Sequence, residues 1–253
     1  SCANIYRDAT FHSEVDSQAV LWEQLEKLDE ENGFYRVRCA DGYEGWISSH
    51  QVAFADAPDN MRLIYRPYGR IYKSPQKKAT VIRDYVSGCL LPVRDEQSGW
   101  AQTVLPDGET GWVREAAFGY FSRSGLRRML VELAQEYLGV PYLWAGKSAK
   151  GMDCSGYVQL MHKLCGINVR RDAWMQHQDA RAVSDTWMNA RAGDLLFFAE
   201  KENKISHVGI KLNKTEVIHV RGMVRINSMD PAAENADTQL IDEFVSAGTF
   251  MEK

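Results

Sequence analysis

The chain has 253 residues, 45% of them hydrophobic and 25% charged, with a formal net charge of −4. That balance suits one large or two to three small globular domains. It carries no basic block or aromatic-plus-arginine stripe, which argues against nucleic-acid binding, and no apolar run approaches membrane-spanning length. The five cysteines, Cys2, Cys39, Cys89, Cys154 and Cys165, are odd in number and form no CxxC pair, which argues against a disulfide framework or a zinc site. No signal peptide is visible, and a chain that opens in strand-like sequence (Cys2 to Arg7) is consistent with a leader already removed.

The first half contains an internal repeat. Asn32-Gly33-Phe34 through Asp41-Gly42-Tyr43-Glu44-Gly45-Trp46-Ile47 realigns without a gap on Ser98-Gly99-Trp100 through Asp107-Gly108-Glu109-Thr110-Gly111-Trp112-Val113. In each copy an aromatic-bearing strand meets an Asp-Gly turn, a strong hairpin signal. The glycine before each tryptophan suits a bulge or a close backbone approach. Further strand-like sequence lies upstream of each hairpin, at residues 20–28 and 81–93. Each copy therefore predicts a small β-barrel with Trp46 or Trp112 in its core, and two copies are too few for a solenoid. Residues 53–60, with Pro58, read as the linker between the copies.

After Phe118 the composition changes. Residues 122–125 lead into a helix with Leu126, Met129, Leu130, Leu133, Ala134, Tyr137 and Leu138 on one face, and Gly139 is its natural stop. Residues 140–146 read as a loop or short strand carrying Tyr142 and Trp144. A second helix starts near Cys154 and ends near Gly166, with Cys165 as core packing. A third is expected over residues 174–182, and strands over 194–199, 207–212, 216–220 and within 247–251. Helices first and an antiparallel sheet after them indicate an α+β domain.

The chemistry centres on the turn-prone run Lys150-Gly151-Met152-Asp153-Cys154-Ser155-Gly156, which feeds a helix with Tyr157, Val158, Leu160, Met161 and Leu164 at helical spacing. Asp153 and Ser155 are good cap residues, so the helix is expected to begin within a residue or two of Cys154. A thiol there meets the positive end of the helix dipole and unpaired N–H groups. Both favour thiolate, lowering a cysteine pKa from about 8.5. The position also suits a buried cysteine acting as a small apolar side chain.

Downstream, Ile205-Ser206-His207-Val208-Gly209-Ile210 alternates like a strand around one histidine, and Val217-Ile218-His219-Val220 repeats the arrangement. A helix-start cysteine followed by two strand histidines supplies nucleophile, base and orienter in one chain order. These positions suit acyl transfer through a thioester. Cys154 attacks an amide carbonyl, and His207 takes the thiol proton and returns it to the leaving amine. His219 hydrogen-bonds the far ring nitrogen of His207 and fixes its tautomer, and the Cys154 N–H is one oxyanion donor. Two strand histidines without CxxC or HExxH spacing argue against a metal centre, and no cofactor is expected. His12, His50, His162 and His177 lack a matching context.

Gly151-Met152-Asp153-Cys154-Ser155-Gly156-Tyr157 together with Ser206-His207-Val208-Gly209-Ile210 resembles the NlpC-type cell-wall cysteine peptidases, which have papain-like architecture. Val140-Pro141-Tyr142-Leu143-Trp144-Ala145-Gly146 is similar to another of the family's motifs, with Ala145 where glycine is common. Ala192-Gly193-Asp194-Leu195-Leu196-Phe197-Phe198 is similar to its strand-opening motif. The two Gly-Trp hairpins resemble bacterial SH3-like domains, which often accompany cell-wall hydrolases. The resemblance implies two small all-β SH3-like barrels, at residues 1–56 and 61–118, followed by an α+β papain-like catalytic domain at 122–253. It also makes the Tyr142 hydroxyl a second oxyanion donor.

Two SH3-like copies before such a domain resemble the YkfC-type γ-D-glutamyl-L-diamino acid endopeptidases, which recycle peptidoglycan stem peptides bearing a free N-terminal L-alanine. In that branch acidic residues bind the substrate ammonium. Arg171-Asp172-Ala173 matches its Arg-Asp-Ser motif with alanine for serine, which makes Asp172 the ammonium-binding candidate and removes one hydroxyl from the substrate's partners. Glu23 in Leu21-Trp22-Glu23 resembles the Leu-x-Glu segment whose acid closes this pocket, and Tyr43 is a second candidate there. Both also read as ordinary strand and hairpin residues. Asp153 and Ser155 are expected to contact substrate backbone as well as cap the helix, and Trp144 and Arg171 complete the implied substrate-binding set.

The implied substrate is a murein stem peptide with diaminopimelate or lysine after γ-linked D-glutamate. The implied location is the bacterial cell envelope, periplasmic or extracytoplasmic, with the cytoplasm open to a recycling enzyme. The protein is expected to act as a monomer, with no nucleic-acid partner and no membrane span. Two alternatives stay open: a murein amidase or endopeptidase acting on intact wall, and a wall-binding protein whose last domain is inert.

Overall fold

The repeated hairpins build two sheets with one shared strand order. The computed structural model describes residues 1–119, 125–200 and 204–251, and the chain divides into two units, Ser1–Tyr120 and Phe121–Lys253. In the first unit the first copy contributes β1 (Cys2–Tyr6), β2 (Val15–Val20), β3 (Leu25–Glu31), β4 (Phe34–Cys39) and β5 (Glu44–Ser48), in the sheet order β2-β1-β5-β4-β3. The second copy contributes β6 (Met61–Leu63), β7 (Tyr68–Tyr72), β8 (Val81–Val86), β9 (Leu90–Gln97), β10 (Trp100–Val104) and β11 (Thr110–Arg114), in the order β6-β9-β10-β11-β7-β8. Apart from the added edge strand β6, the second order repeats the first.

Each copy bends its first strand at the same place, with register shifts between Ile5 and Tyr6 and between Ile71 and Tyr72. The glycine of each Gly-Trp pair lies against that bend. A Cβ on Gly45 would stand 2.5 Å from Ile5 Cγ2 and 2.8 Å from the Tyr6 carbonyl oxygen, and one on Gly111 would stand 2.5 Å from Ile71 Cγ2. Strand side chains alternate faces, so Ile47 and Val113, at 1% and 0% exposure, share the inward face with these glycines. The expectation that the two tryptophans form the cores holds for Trp112, buried at 9% exposure, and is corrected for Trp46. Trp46 is half-buried, and the apolar clusters of the two copies are built on Ile5, Val37 and Ile47 in one and on Ile71, Leu91 and Val113 in the other.

The strand-like runs at 20–28 and 81–93 are each broken by a turn. In the second copy Gly88 supplies the left-handed conformation, at φ 82, and in the first Trp22 adopts it, at φ 63. A bulky residue in this region is strained. Trp22 is nevertheless 7% exposed, sits among the core residues of the second copy, and donates its indole N–H to the Val104 carbonyl at 2.9 Å. That buried contact holds the unusual turn in place.

The second unit places α1 (Leu126–Gln135), the short pair β12 (Lys147–Ser148) and β13 (Gly151–Met152), α2 (Cys154–Leu164) and α3 (Ala173–Asp179) before most of its sheet. The sheet consists of β14 (Arg181–Ser184), β15 (Leu195–Phe198), β16 (His207–Lys211), β17 (Glu216–Arg221), β18 (Met223–Ser228) and β19 (Phe244–Thr249), with α4 (Thr238–Asp242) before the last strand. It is antiparallel in the order β14-β19-β15-β16-β17-β18. Helix α2 is buried on nearly every side, as an apolar helix crossing a domain centre must be. Tyr157 donates its hydroxyl to the Ala134 carbonyl of α1 at 2.9 Å, and Cys165 is 1% exposed just beyond the helix.

Several boundaries differ from the sequence pattern. Helix α1 ends three residues before Leu138, and α3 is shorter than 174–182 because β14 begins at Arg181. The last strand starts at Phe244, and β14, β18 and α4 were not expected at all. The proposed lead-in at residues 122–124 and the start of the last domain at 122 lie outside the described residues. The strand-opening Asp194 has a structural task, accepting from Arg127 Nη1 at 2.7 Å and from the Arg191 N–H at 2.7 Å. Among the described residues no helix is long and apolar enough to cross a membrane.

Replacing Gly45 or Gly111 by alanine should lower the stability of the first unit by about 1–3 kcal/mol, the usual cost of forcing atoms into a packed site. The check is the midpoint of urea unfolding. An unchanged midpoint in both variants would show that Ile5 and Ile71 move aside freely.

Candidate active site

Helix α2 begins at Cys154 because Asp153 caps it. Asp153 is extended, at φ −92 and ψ 178, and its Oδ1 accepts the Gly156 N–H at 2.7 Å. The same carboxylate accepts the Ser155 hydroxyl at 3.2 Å and is gripped by Arg171, with Nη1 at 3.0 Å from Oδ1 and Nη2 at 2.6 Å from Oδ2. Arg171 also donates from Nη1 to the Ser155 hydroxyl at 2.9 Å, and it is 2% exposed. Burial opposes its charge, yet the Asp153 carboxylate prevails and holds its pKa above the ordinary value. The two-pronged arginine–carboxylate contact fixes direction as well as distance.

The two expected histidines meet in the sheet. Strands β16 and β17 pair with Gly209 opposite His219, so His207 and His219 lie diagonally across one sheet face. Gly209 makes this possible, since a Cβ there would stand 3.0 Å from His219 Cβ and 2.7 Å from Val217 Cγ2. His207 Nε2 lies 2.9 Å from His219 Nδ1, and the rings meet edge to face at 88°. His219 Nε2 in turn lies 3.0 Å from Asn227 Oδ1 on β18, and Asn227 Nδ2 donates to the Asn235 carbonyl at 3.1 Å. Sequence reasoning passed over Asn227. The alternation of Val224 and Ile226 was the available signal for its strand.

The Cys154 sulfur accepts hydrogen bonds from the backbone N–H groups of Val208 and Ser155. Val208 follows His207 directly, so this contact sets the sulfur against the histidine strand. Burial pushes the thiol up to about 12 and the Asp153 charge adds to this, against the Val208 N–H, Arg171 and the Ser155 N–H. This corrects the expectation of a resting thiolate. Cys154 is 9% exposed, and loss of water outweighs the helix dipole. Burial likewise holds His207 well below the ordinary histidine value, helped by His219 and Arg221, and lowers His219 to about 4. The resting pair is therefore a neutral thiol and a neutral imidazole, suited to proton transfer concerted with attack.

Tyr142 is half-exposed, and its hydroxyl is pushed up to about 12 by burial and by the neighbouring Asp153 and Cys154, which keeps it an O–H donor beside the sulfur. Trp144, two residues on, is 60% exposed. Asp172 occupies the N-cap position of α3, where its charge acts on Arg171. Three members of the implied substrate-binding set also support the start of α2. Arg171 is fully enclosed, and Asp153 and Ser155 are buried partners of it. Glu23 and Tyr43 belong to the first unit. Glu23 Oε2 accepts the Val20 N–H at 2.9 Å in the turn after β2, rather than lying in a strand, and Tyr43 packs on the first copy's core. His162 donates from Nδ1 to the Val158 carbonyl at 2.8 Å inside α2, and His177 bonds the Ser246 hydroxyl at 2.9 Å. Among the described residues no group of three or more His, Cys, Asp or Glu side chains is placed to hold a metal ion.

Comparison with known proteins agrees with this layout. Residues 139–240 match the NlpC/P60 family, and residues 5–52 match the bacterial dipeptidyl-peptidase Sh3 domain. The γ-D-glutamyl-L-lysine dipeptidyl-peptidase of Bacillus cereus is 28% identical over 228 residues, 82% of this chain and 67% of its own length. Dipeptidyl-peptidase 6 of Lysinibacillus sphaericus is 29% identical over 248 residues, 90% of this chain and 89% of its own. A crystal structure of a Bacillus cereus NlpC/P60 family protein shares the fold over all of both chains, at a TM-score of 0.82 and 22% identity. The chain therefore carries a domain of the NlpC/P60 cysteine peptidase family at residues 139–240, preceded by a bacterial dipeptidyl-peptidase SH3 domain at residues 5–52.

Proposed function

We infer that Cys154 is the nucleophile, His207 the general base and His219 its orienting partner, and that the substrate is a free murein stem peptide. The bond cut is the one between γ-linked D-glutamate and the following L-diamino acid. The observation that carries the reading is the Val208 N–H bonded to the Cys154 sulfur, which sets the base's strand against the nucleophile. A second imidazole stands 2.9 Å behind the first. The names of the Bacillus cereus and Lysinibacillus sphaericus relatives, both dipeptidyl-peptidases, support the choice of bond.

In the proposed cycle the sulfur attacks the carbonyl carbon while its proton passes to His207. The Tyr142 O–H and the Cys154 N–H, at the unbonded start of α2, receive the developing oxyanion. The proton then goes to the leaving amine, and a thioester remains. Water attacks it, gives its proton to His207, and the thiol is restored as the acid leaves. Asp172 is the proposed partner of the substrate's free ammonium, since a carboxylate discriminates a charged amine from an acylated one. Peptides of this kind place the enzyme's work in the bacterial envelope, or in the cytoplasm after uptake.

Incubation with L-Ala-γ-D-Glu-diaminopimelate and its N-acetylated form, read by mass spectrometry, tests the reading. The dipeptide should be released from the free peptide alone, and Cys154→Ser should lose nearly all activity. Equal cleavage of the acetylated peptide, or preference for intact wall, would overturn the substrate assignment. Activity in Cys154→Ser would overturn the nucleophile.

The pH profile follows from the site's burial. His207 must be unprotonated to act, and its pKa lies below 6.5, so the acidic limb of kcat/KM should fall below that value. The alkaline limb should lie near about 8, where the substrate's own α-ammonium loses its proton, because Cys154 and Tyr142 are pushed up to about 12. An acidic limb above 6.5 would contradict a desolvated base. Arg171→Met should destabilise the second unit by about 3–5 kcal/mol in urea unfolding, because the Asp153 carboxylate would stay buried without its cation.

A further inference from the structure

The two histidines can each carry their proton on either ring nitrogen; two of the four combinations leave a lone pair on His207 Nδ1, and only one of those two also lets His207 hydrogen-bond to His219. His207 Nε2 is already committed to His219, so Nδ1 is the atom left to take a proton from a thiol. What selects the combination lies at the far end of the series. The Asn235 carbonyl can only accept, and Asn227 Nδ2 stands 3.1 Å from it. The Asn227 amide is thereby turned with Nδ2 toward Asn235 and Oδ1 toward His219, 3.0 Å away. Facing an acceptor oxygen, His219 Nε2 must carry its hydrogen. Its Nδ1 is then a lone pair, which forces His207 Nε2 to be the N–H and leaves His207 Nδ1 bare.

We propose that Asn227, anchored by the Asn235 carbonyl, is a positioning residue that sets the tautomers of both His219 and His207. The assignment rests on the reading of Cys154 and His207 as nucleophile and base. Asn227 is 4% exposed, and His219 is fully enclosed, so water does not compete for these contacts. The anchor is itself fixed, since the Asn235 carbonyl also accepts the Ser228 N–H at 3.0 Å. Loss of the asparagine amide therefore leaves that carbonyl with a partner, and the strand with its ladder to β17. The charged groups acting on His219 are Arg221, Arg225 and Asp237, with His207 beside it. None of them stands as an acceptor on Nε2 among the described contacts.

The experiment uses the full chain with Asn227→Leu, Asn227→Asp, and His207→Ala as a control for the base. Histidine-nitrogen NMR of the substrate-free protein reads the tautomers directly. The expected wild-type spectrum has the hydrogen on Nε2 of both His207 and His219. In Asn227→Leu the His219 preference should be lost, kcat should fall about 10- to 100-fold, part of what a positioned base contributes, and KM should stay within about two-fold. Asn227→Asp keeps an acceptor oxygen in place and adds a negative charge. It should retain most of kcat and move the acidic limb of the pH profile upward. Thermal unfolding of both variants separates loss of fold from loss of tautomer. Wild-type spectra with the hydrogen on His207 Nδ1, or Asn227→Leu with unchanged kcat, would overturn the assignment. If His207→Ala is fully active, the base assignment itself fails, whatever the spectra of Asn227 variants show.

Discussion

The buried contact between Asp153 and Arg171 is the constraint on which the second unit's site depends. One carboxylate ends the β12–β13 turn, caps α2, holds the Ser155 hydroxyl and takes both prongs of a guanidinium that water does not reach. Two charges withdrawn from water add little net stability, because desolvation offsets most of their attraction. What the pair supplies is direction. Helix α2 cannot rotate or slide at its first turn without breaking contacts that have no solvent replacement. Cys154, one residue past the cap, is therefore held at a fixed place against β16. The Asp153 charge also works against ionisation of the neighbouring sulfur, so one group that positions the thiol helps to keep it protonated.

The sheet supplies the matching rigidity from the other side. His207 and His219 face each other because the β16–β17 register puts Gly209 opposite His219, leaving a vacant side-chain position for an imidazole to enter. An antiparallel ladder offers many ways to bring two side chains near each other, and a diagonal pair across a glycine is one that brings two rings edge to face. The neutral states of both rings follow from the same burial that fixes them.

The sequence disclosed what depends on short-range pattern. The cap before Cys154, the helical spacing after it, the alternation around each histidine and the Asp-Gly hairpins of the repeat are all local, and all are present in the structure. What stayed hidden depends on long-range packing. The direction of the Cys154 shift turns on desolvation by residues from several elements. Arg171 stands in the sequence as a substrate-binding candidate beside Arg170, and only the tertiary arrangement shows it enclosed against Asp153 while Arg170 pairs with Asp179 outside. Trp22 occupies a turn position that Gly88 fills in the other copy, and its strain is tolerated because the indole reaches the Val104 carbonyl, 82 residues away in sequence. Asn227 was missed because β18 was missed, and its anchor at Asn235 lies in a loop whose path no local pattern reveals.

The protonated state of Cys154 has a bearing on survival as well as on chemistry. Peroxide and alkylating agents attack thiolates, and a sulfur kept as S–H behind a 9% exposed surface presents little of the reactive form. Cys39, Cys89 and Cys165 are buried too, and none of the five cysteines is in a disulfide. A chain with this arrangement can meet oxidising surroundings with the Cys154 sulfur withdrawn, and the proposed reaction would release nucleophilic sulfur only as a carbonyl carbon arrives to take it.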